Sequence, residues 1–389
     1  MLAAGAAGLV GGAAVGTGAV LAWPKDEPAA SQLRRTYSPH ETHQAGIVTP
    51  TPAATQVIAL TLKPATDVDA LARLMRVWST DIAAMVAGEQ IPGDTAPEMA
   101  QANTSLTVTV GYGPRVFDFP QTRAKRPAGF MQIPAMRHDK LDPVWTGGDL
   151  VLLVAADDPT TVAYCAHRLV RDAESFARLA WVQHGSWRGT DAHGSPLTGR
   201  NLFGQVDGTA NLKGADADPV LWPDTDLEWF AGGTQLVVRR IEMKLDTWDQ
   251  LVRDQQEAVI GRNLTNGAPL TGADEKDALD LAAERDGRLV IARDAHSRRS
   301  HPDENGGRRI VRRGLNYTHD AVVDGQFTTT SGLIFMSFQA DIANQFVPIQ
   351  KKLDDLDALN EWTTAIGSAV FALPGGFAKD SWLGEKLFT

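Results

Sequence analysis

Short stretches of this chain alternate apolar and polar residues, and between them apolar residues recur every three or four positions. Ile58, Leu60 and Leu62 alternate within residues 57–63, the mark of a strand with one buried face. A helix is predicted next, opened by Thr66 with Asp69 three positions on as a capping box. Leu71, Leu74, Met75 and Trp78 then fall on one helical face. Leu106, Val108 and Val110 predict a second strand, and the apolar run 150–154 a buried third. Asp158-Pro159 opens a second helix, with proline at the first helical position where its missing N–H costs nothing. Residues 180–184 predict a closing strand.

The second half repeats this order. Residues 236–243 read as a strand, and 245–260 as one helix with Trp248, Leu251 and Val252 on a single face. Residues 310–313 read as a short strand and 333–338 as a strongly apolar one. Ile342, Phe346, Ile349 and Leu353 predict another helix, and 370–372 the last strand. Strand, helix, strand, strand, helix, strand is the ferredoxin-like unit. The pattern therefore predicts an α+β protein with two such βαββαβ units, at about 50–190 and 230–375. Taken with their flanking loops, the divisions are 55–195 and 196–389. Two polar segments, 198–213 and 265–309, lack any apolar period. Loops that long inside a compact domain usually carry function or stay disordered.

Composition narrows the class. The 389 residues are 43% apolar and 22% charged, ordinary for a globular protein that can bury a core. A formal net charge of -10 argues against a phosphate-backbone partner, so no nucleic acid is expected. The single cysteine, Cys165, excludes an intrachain disulfide and any cysteine-based metal site, and among apolar neighbours it reads as a buried thiol.

Residues 1–23 carry no charge and are rich in Gly and Ala, with the length of an export signal. No basic residue precedes Lys25, and Arg34-Arg35 lies downstream of the apolar run, where it cannot serve that signal. The reading is a signal-peptide remnant of the twin-arginine type, clipped at its basic end, and an exported protein of the cell envelope or exterior. A membrane anchor is the alternative, disfavoured because Gly-rich runs partition weakly into lipid. No stable span is expected in the mature form. Residues 24–54, rich in Pro, Ser and Thr, read as an extended arm.

Nine histidines are present. His40, His43, His138, His184, His193 and His319 lie in polar or loop contexts, and His167 lies in a predicted helix. His296 and His301 stand out in the string DAHSRRSHP, yet five residues on a helix turn a side chain by about 140° net. The two cannot share a helical face, and spacing alone does not choose between them.

A colinear set of strings chooses. GRNLFGQVDGTAN at 199–211 resembles the Asp-Gly-Thr motif of the dye-decolorising (DyP-type) haem peroxidases. HQAGIVTP at 43–50, LTVTVGYGP at 106–114, GGDLVLLVAADDP at 147–159 and QEAVIGR at 256–262 are similar to that family in order. So are DAHSRRSHP at 294–302, IVRRGLNY at 310–317 and GLIFMSFQADIANQFVPIQ at 332–350. The match runs from about residue 43 to 377 and looks most like the exported branch that includes the deferrochelatase/peroxidases.

The resemblance implies a pair of ferredoxin-like units enclosing one haem b per chain. It makes His296 the iron ligand, with Ser297 in a place where the family usually has Ile. His301 and Pro302 would line the haem edge. Asp207 would move the proton of hydrogen peroxide from the inner to the outer oxygen, as base and then acid. Arg312 would stabilise the charge developing on the departing oxygen, with Arg313 as the alternative because adjacent strand residues face opposite ways. Gly208, Thr209 and Ala210 would pass their backbone close to the porphyrin, and Leu333 and Phe335 would wall the peroxide side. A carboxylate should hold the ligand histidine's other nitrogen, with Asp341 the candidate. A carboxylate base works at lower pH than an imidazole would, which predicts dye oxidation strongest in the acid range.

The implied activity is reduction of hydrogen peroxide with two one-electron oxidations of a bulky organic donor, a dye or a phenolic. That donor would react at the haem edge or through a surface Trp or Tyr. Two other readings use the same pocket: iron release from haem, as in deferrochelatases, and a haem carrier with no catalysis. A carrier needs His296 but has no use for Asp207 and Arg312. A homo-oligomer is compatible with all three.

Overall fold

The computed structural model describes residues 35–99, 104–191, 195 and 197–389. The signal remnant at 1–23, residues 24–34 of the extended arm and His193 lie outside the described residues. The first unit is β1 (Ala54–Leu62), α1 (Val68–Ala87), β2 (Thr107–Tyr112), β3 (Leu150–Ala156), α2 (Pro159–Ala173) and β4 (Ala177–Ser186). Its strands lie in the order β4-β1-β3-β2. The second unit has β5 (Thr234–Met243), α3 (Arg253–Ile260), β6 (Val311–Val323), β7 (Gln326–Gln339), α4 (Val347–Leu356) and β8 (Thr363–Leu373). Its order is β8-β5-β7-β6, the same pattern.

The two sheets close into one eight-stranded barrel by thin seams. Tyr112 of β2 pairs with Ala372 of β8, and Ser186 of β4 pairs with Asn316 of β6. Each seam joins the second strand of one unit to the fourth of the other. Closure removes the exposed sheet edges that would otherwise invite aggregation.

Both faces of the sheet are buried, which is why several strands read as unbroken apolar runs. Val57, Ala59, Val151, Leu153, Leu236, Val238 and Phe371 fill the barrel interior. Ile58, Leu60, Leu62, Leu150, Leu152 and Val154 point outward against α1 and α2. Trp78 is fully buried there, and its indole N–H donates to the Leu169 carbonyl of α2 at 2.9 Å. Cys165 lies in the same layer, where burial pushes its thiol up to about 12.

Several boundaries differ from the sequence reading. The cap of α1 is Asp67, which accepts from the Ala70 N–H, while the Thr66 hydroxyl donates to the Phe176 carbonyl. The single helix expected over 245–260 is broken. Leu245–Trp248 forms one turn, Gln255 then accepts from the Val252 N–H, and α3 starts afresh. Val252, expected to be buried, is 65% exposed. The helix expected from Ile342 begins as a wide π turn, Ile342–Phe346, before α4. Such turns occur mostly as single bulges, often at functional sites. The strands β6 and β7 run on as a long hairpin to Val323↔Gln326, past the apolar stretch that the alternation marked.

Candidate functional site

The two polar segments and the helix that opens with the π turn meet around one cavity of about 430 Å³, within the ordinary size of a ligand pocket. His296 enters it from a one-turn helix, His296–Arg299. Its Nδ1 lies 2.6 Å from Asp357 Oδ2, and that carboxylate is 4% exposed. A carboxylate at Nδ1 fixes the tautomer with the proton there, leaving the Nε2 lone pair for the cavity. Burial pulls the imidazole pKa down, but the Asp357 carboxylate beside it outweighs burial and holds it above the ordinary histidine value.

Asp341, the carboxylate expected in that role, is used elsewhere. It caps the π turn, accepting from the Asn344 backbone N–H at 2.9 Å and its side-chain amide at 2.8 Å. Asp357 follows α4 directly, and its other oxygen accepts from the Leu359 N–H. It lies 61 residues beyond His296, and no spacing in the chain marks it among 47 acidic residues.

The one-turn helix ends at Ser300, and the backbone of His301 is extended. His301 therefore returns to the cavity that His296 lines, although no helix would let both do so. Its Nδ1 accepts from the Asp303 N–H at 3.3 Å. Pro302 lines the cavity too. Ser297 packs against Gly261, whose added Cβ would lie 2.2 Å from the Ser297 hydroxyl, and that hydroxyl has no partner among the described residues.

Facing His296 is Arg312, near the start of β6. Its Nη1 lies 3.2 Å from Asp207 Oδ1, and Asn201 Nδ2 lies 3.4 Å from the other oxygen. Both charges also act electrostatically on His296. Asn211 fixes the strand at this point, accepting from the Arg312 N–H at 3.0 Å and donating to its carbonyl at 2.6 Å. Arg313 points to the opposite face, where its guanidinium donates to the Thr49 carbonyl and burial pushes its pKa down to about 10. The alternation of β6 thus gives the cavity to Arg312.

Thr209, Ala210 and Phe335 line the cavity as expected. Gly208 and Leu333 do not. Gly208 supplies a φ of +124°, a conformation that a side chain would strain, beside Asp207, which is not itself a wall residue and reaches the cavity through Arg312. Leu333 is buried in the apolar cluster with Phe203, Met243 and Trp248 behind the wall. The rest of the wall is apolar, from Phe346, Ile349 and Leu353, with Lys276, Arg308 and Arg309 adding positive charge. Arg262 lines it as well; burial, with Arg312 nearby, lowers its pKa despite the closeness of Glu275. Sequence reasoning had given none of these last residues a place in the site: Phe346, Ile349 and Leu353 read only as one face of a helix, and Arg262 only closed a matched string.

The donor set suits one transition-metal ion with a single protein nitrogen ligand, set in a largely apolar slot with cations nearby. Flat, carboxylated macrocycles such as haem have that combination. Three or more His, Cys, Asp or Glu grouped to hold a bare metal ion do not occur among the described residues.

A carboxylate–guanidinium pair opposite a carboxylate-held imidazole defines the site of a peroxide-handling protein. Family models agree: residues 44–187 match "Dyp-type peroxidase, N-terminal" and residues 198–378 match "Dyp-type peroxidase, C-terminal". The chain belongs to the dye-decolorising (DyP-type) peroxidase family and is an enzyme of that class. It is 38% identical over 365 residues to the dye-decolorizing peroxidase of Thermobifida fusca, covering 88% of this chain and 83% of that one. It is 30% identical to a deferrochelatase of Yersinia pestis over 370 residues, covering 89% and 83%. The solved structure of ferric DtpA from Streptomyces lividans superposes with a TM-score of 0.87 at 37% identity, covering 92% of this chain and 98% of that chain.

Proposed function

We propose that this protein is a haem-dependent peroxidase that holds one haem b through His296. It reduces hydrogen peroxide with Asp207 and Arg312 and takes single electrons from bulky organic donors such as dyes or phenolics. The observation that carries the reading is the pairing of Asp207 with Arg312, a residue that lines the cavity with His296, and the action of both charges on His296. A carrier would need His296 alone. The ferric state named for the Streptomyces lividans relative supports iron as the metal.

When bound, haem would supply the electrons that cleave the O–O bond. The rest falls to the chain. Asp357 holds His296 in one tautomer, with its Nε2 lone pair toward the cavity. Phe335, Phe346, Ile349 and Leu353 exclude water and give the macrocycle an apolar wall. Lys276, Arg308 and Arg309 offer charge to its carboxylates. His301 and Pro302, which line the cavity, would lie along its edge. Asp207 takes the proton from the inner peroxide oxygen and returns it to the outer one. Arg312 stabilises the negative charge that grows on that outer oxygen.

The test is an absorption spectrum of the haem-loaded protein before and after one equivalent of hydrogen peroxide, followed by addition of a phenolic donor. A stoichiometric spectral change that the donor reverses supports the peroxidase. An unchanged spectrum with haem bound favours the carrier. Loss of the spectrum with free porphyrin released favours iron release.

We also propose export, from the uncharged segment 1–23. Cell fractionation tests it: recovery of the whole pool from the cytosol would overturn it. No helix among the described residues is long and apolar enough to cross a membrane.

A further inference from the structure

The Asp207 carboxylate sits on a turn with little stiffness of its own. Gly208 follows it at a φ of +124°, and glycine at that point leaves the backbone free to swing. The carboxylate's contacts, to Arg312 at 3.2 Å and Asn201 at 3.4 Å, lie at and just beyond the upper end of the usual hydrogen-bond range. Something else must hold the turn if the proton transfer is to have a fixed geometry.

We propose that Glu275 is the positioning residue of this turn. One of its oxygens, Oε1, accepts the hydroxyl of Thr198 at 2.7 Å and that of Thr209 at 2.9 Å. These two threonines bracket the loop that carries Asp207, and the loop's ends are already joined by the Asp207 N–H donating to the Gly199 carbonyl at 2.9 Å. A single carboxylate oxygen therefore locks both ends to a third point outside the loop.

That third point is itself anchored. The Glu275 carbonyl accepts from Arg262 Nη1 at 3.0 Å, and the same nitrogen donates to the Gly267 carbonyl at 2.7 Å. Arg262 is only 8% exposed. Arg200 of the loop donates to the Leu264 and Thr265 carbonyls of the same segment. Gly267 lies against Val206 so closely that an added Cβ would come within 2.9 Å of it. Asp277 braces the segment, accepting from the Ala273 and Asp274 N–H groups.

The consequence is a link between two parts of the cavity. Glu275 is followed directly by Lys276, Asp277, Ala278 and Leu279, which wall the cavity. A displacement of that wall by a bound donor is passed through Glu275 to Thr209 and so to Asp207. The hydroxyl of Thr209, given no task by the sequence reading, is what this link requires.

This inference rests on the peroxidase reading, so its test has one arm that needs no peroxide. Hydrogen exchange of the 207–211 amides is measured in Glu275→Ala, Glu275→Gln and the wild type, with and without haem. Glu275→Ala should speed exchange at Asp207 and Asn211, whose N–H groups bond within the loop, and leave 296–300 unchanged. Glu275→Gln should exchange like the wild type, because a carboxamide oxygen still accepts both hydroxyls. In rapid mixing with peroxide, Glu275→Ala should slow the haem spectral change about 10- to 100-fold, the scale of a misplaced catalytic group. Glu275→Gln should recover most of that loss, and haem content should be equal in all three.

Unchanged exchange in Glu275→Ala overturns the proposal. So does a Glu275→Gln protein as slow as Glu275→Ala, which would make charge rather than tethering the cause. If Glu275→Ala does not fold, the Thr198→Val/Thr209→Val double variant removes the same two bonds and is read in the same way. If wild-type haem protein ignores peroxide, the functional reading falls, and the exchange arm alone decides the tether.

Discussion

In the first ferredoxin-like unit, α1 runs unbroken for 20 residues and α2 for 15, and both give their apolar faces to the sheet. In the second unit the corresponding stretches are interrupted. Leu245–Trp248 stops before α3, and a π turn precedes α4. The same strand order thus carries two different surfaces. One is filled by Trp78, Leu71, Leu74 and Met75. The other is left open, and its walls come chiefly from the π turn with α4, the 209–212 loop and the long segment between α3 and β6. A topology repeated twice does not fix what its helices are for; the interruptions do.

The strongest break in this comparison is at the ligand. His296→Ala should purify without stoichiometric haem even when haem is supplied, whereas His301→Ala should keep it, as read by Soret absorbance per chain. Stoichiometric haem with an unshifted band in His296→Ala would remove the second unit's claim to the cofactor. Trp78→Ala is the mirror experiment in the first unit. Truncating a fully buried indole should cost about 3–5 kcal/mol of stability. Denaturant unfolding should show that loss while the haem band of the folded protein stays in place.

Within the second unit, Arg312→Leu should slow the first haem spectral change on mixing with peroxide by about 10²–10³-fold, the usual cost of removing a charge-stabilising donor. Asp207→Ala should slow it by a similar or smaller factor, since water can relay the proton. If neither changes the rate by even about tenfold, near 1.4 kcal/mol of barrier, the carrier reading gains. Arg313→Leu should leave that rate near the wild-type value and instead loosen the Thr49 segment.

How far the sequence carried differs between the units for physical reasons. In the first, period decided nearly everything, because the apolar face of each helix and of the strands beneath it is buried, and Ile58, Leu60, Leu71 and Trp78 say so locally. In the second, Thr328, Thr329 and Thr330 hide the outer half of β7, since pairing with β6 holds it without an apolar face. The motif strings located His296, Asp207 and Arg312, each of which sits in a matched string. Asp357 was out of reach because its partner is 61 residues away, and Asp341 looked equally eligible until the π turn claimed it. Arg262 and Glu275 act through backbone carbonyls and hydroxyls, contacts that no one-dimensional pattern records.

The smallest effect concerns a polar contact between the first unit's helices, which has no counterpart at the cavity. The carboxyls of Asp81 of α1 and Asp172 of α2 interact, with Arg168 close by and Asp94 on the Asp81 side. Burial raises both carboxyls above the usual range, Asp172 to about 7, and the charge of Asp81 adds to the rise. A group raised on folding binds its proton more tightly in the folded state. Its contribution to stability is complete below the unfolded carboxyl value, about 3.9, and is lost as pH rises through about 7. Carboxyls held low, such as Asp158 at the start of α2 and Asp354, act in the opposite sense, and only below their ordinary value. The two windows therefore separate. Asp172→Asn keeps a donor for Asp81 and removes the titration, so it should gain on the wild type at pH 8 relative to pH 5. Asp172 is partly exposed, so solvent screens it, and a change in the Tm difference of on the order of 2 °C is expected between the two pH values. Thermal unfolding of both proteins at pH 5 and pH 8 checks this. An equal Tm difference at both would mean that the two helices of the first unit meet without sharing a proton.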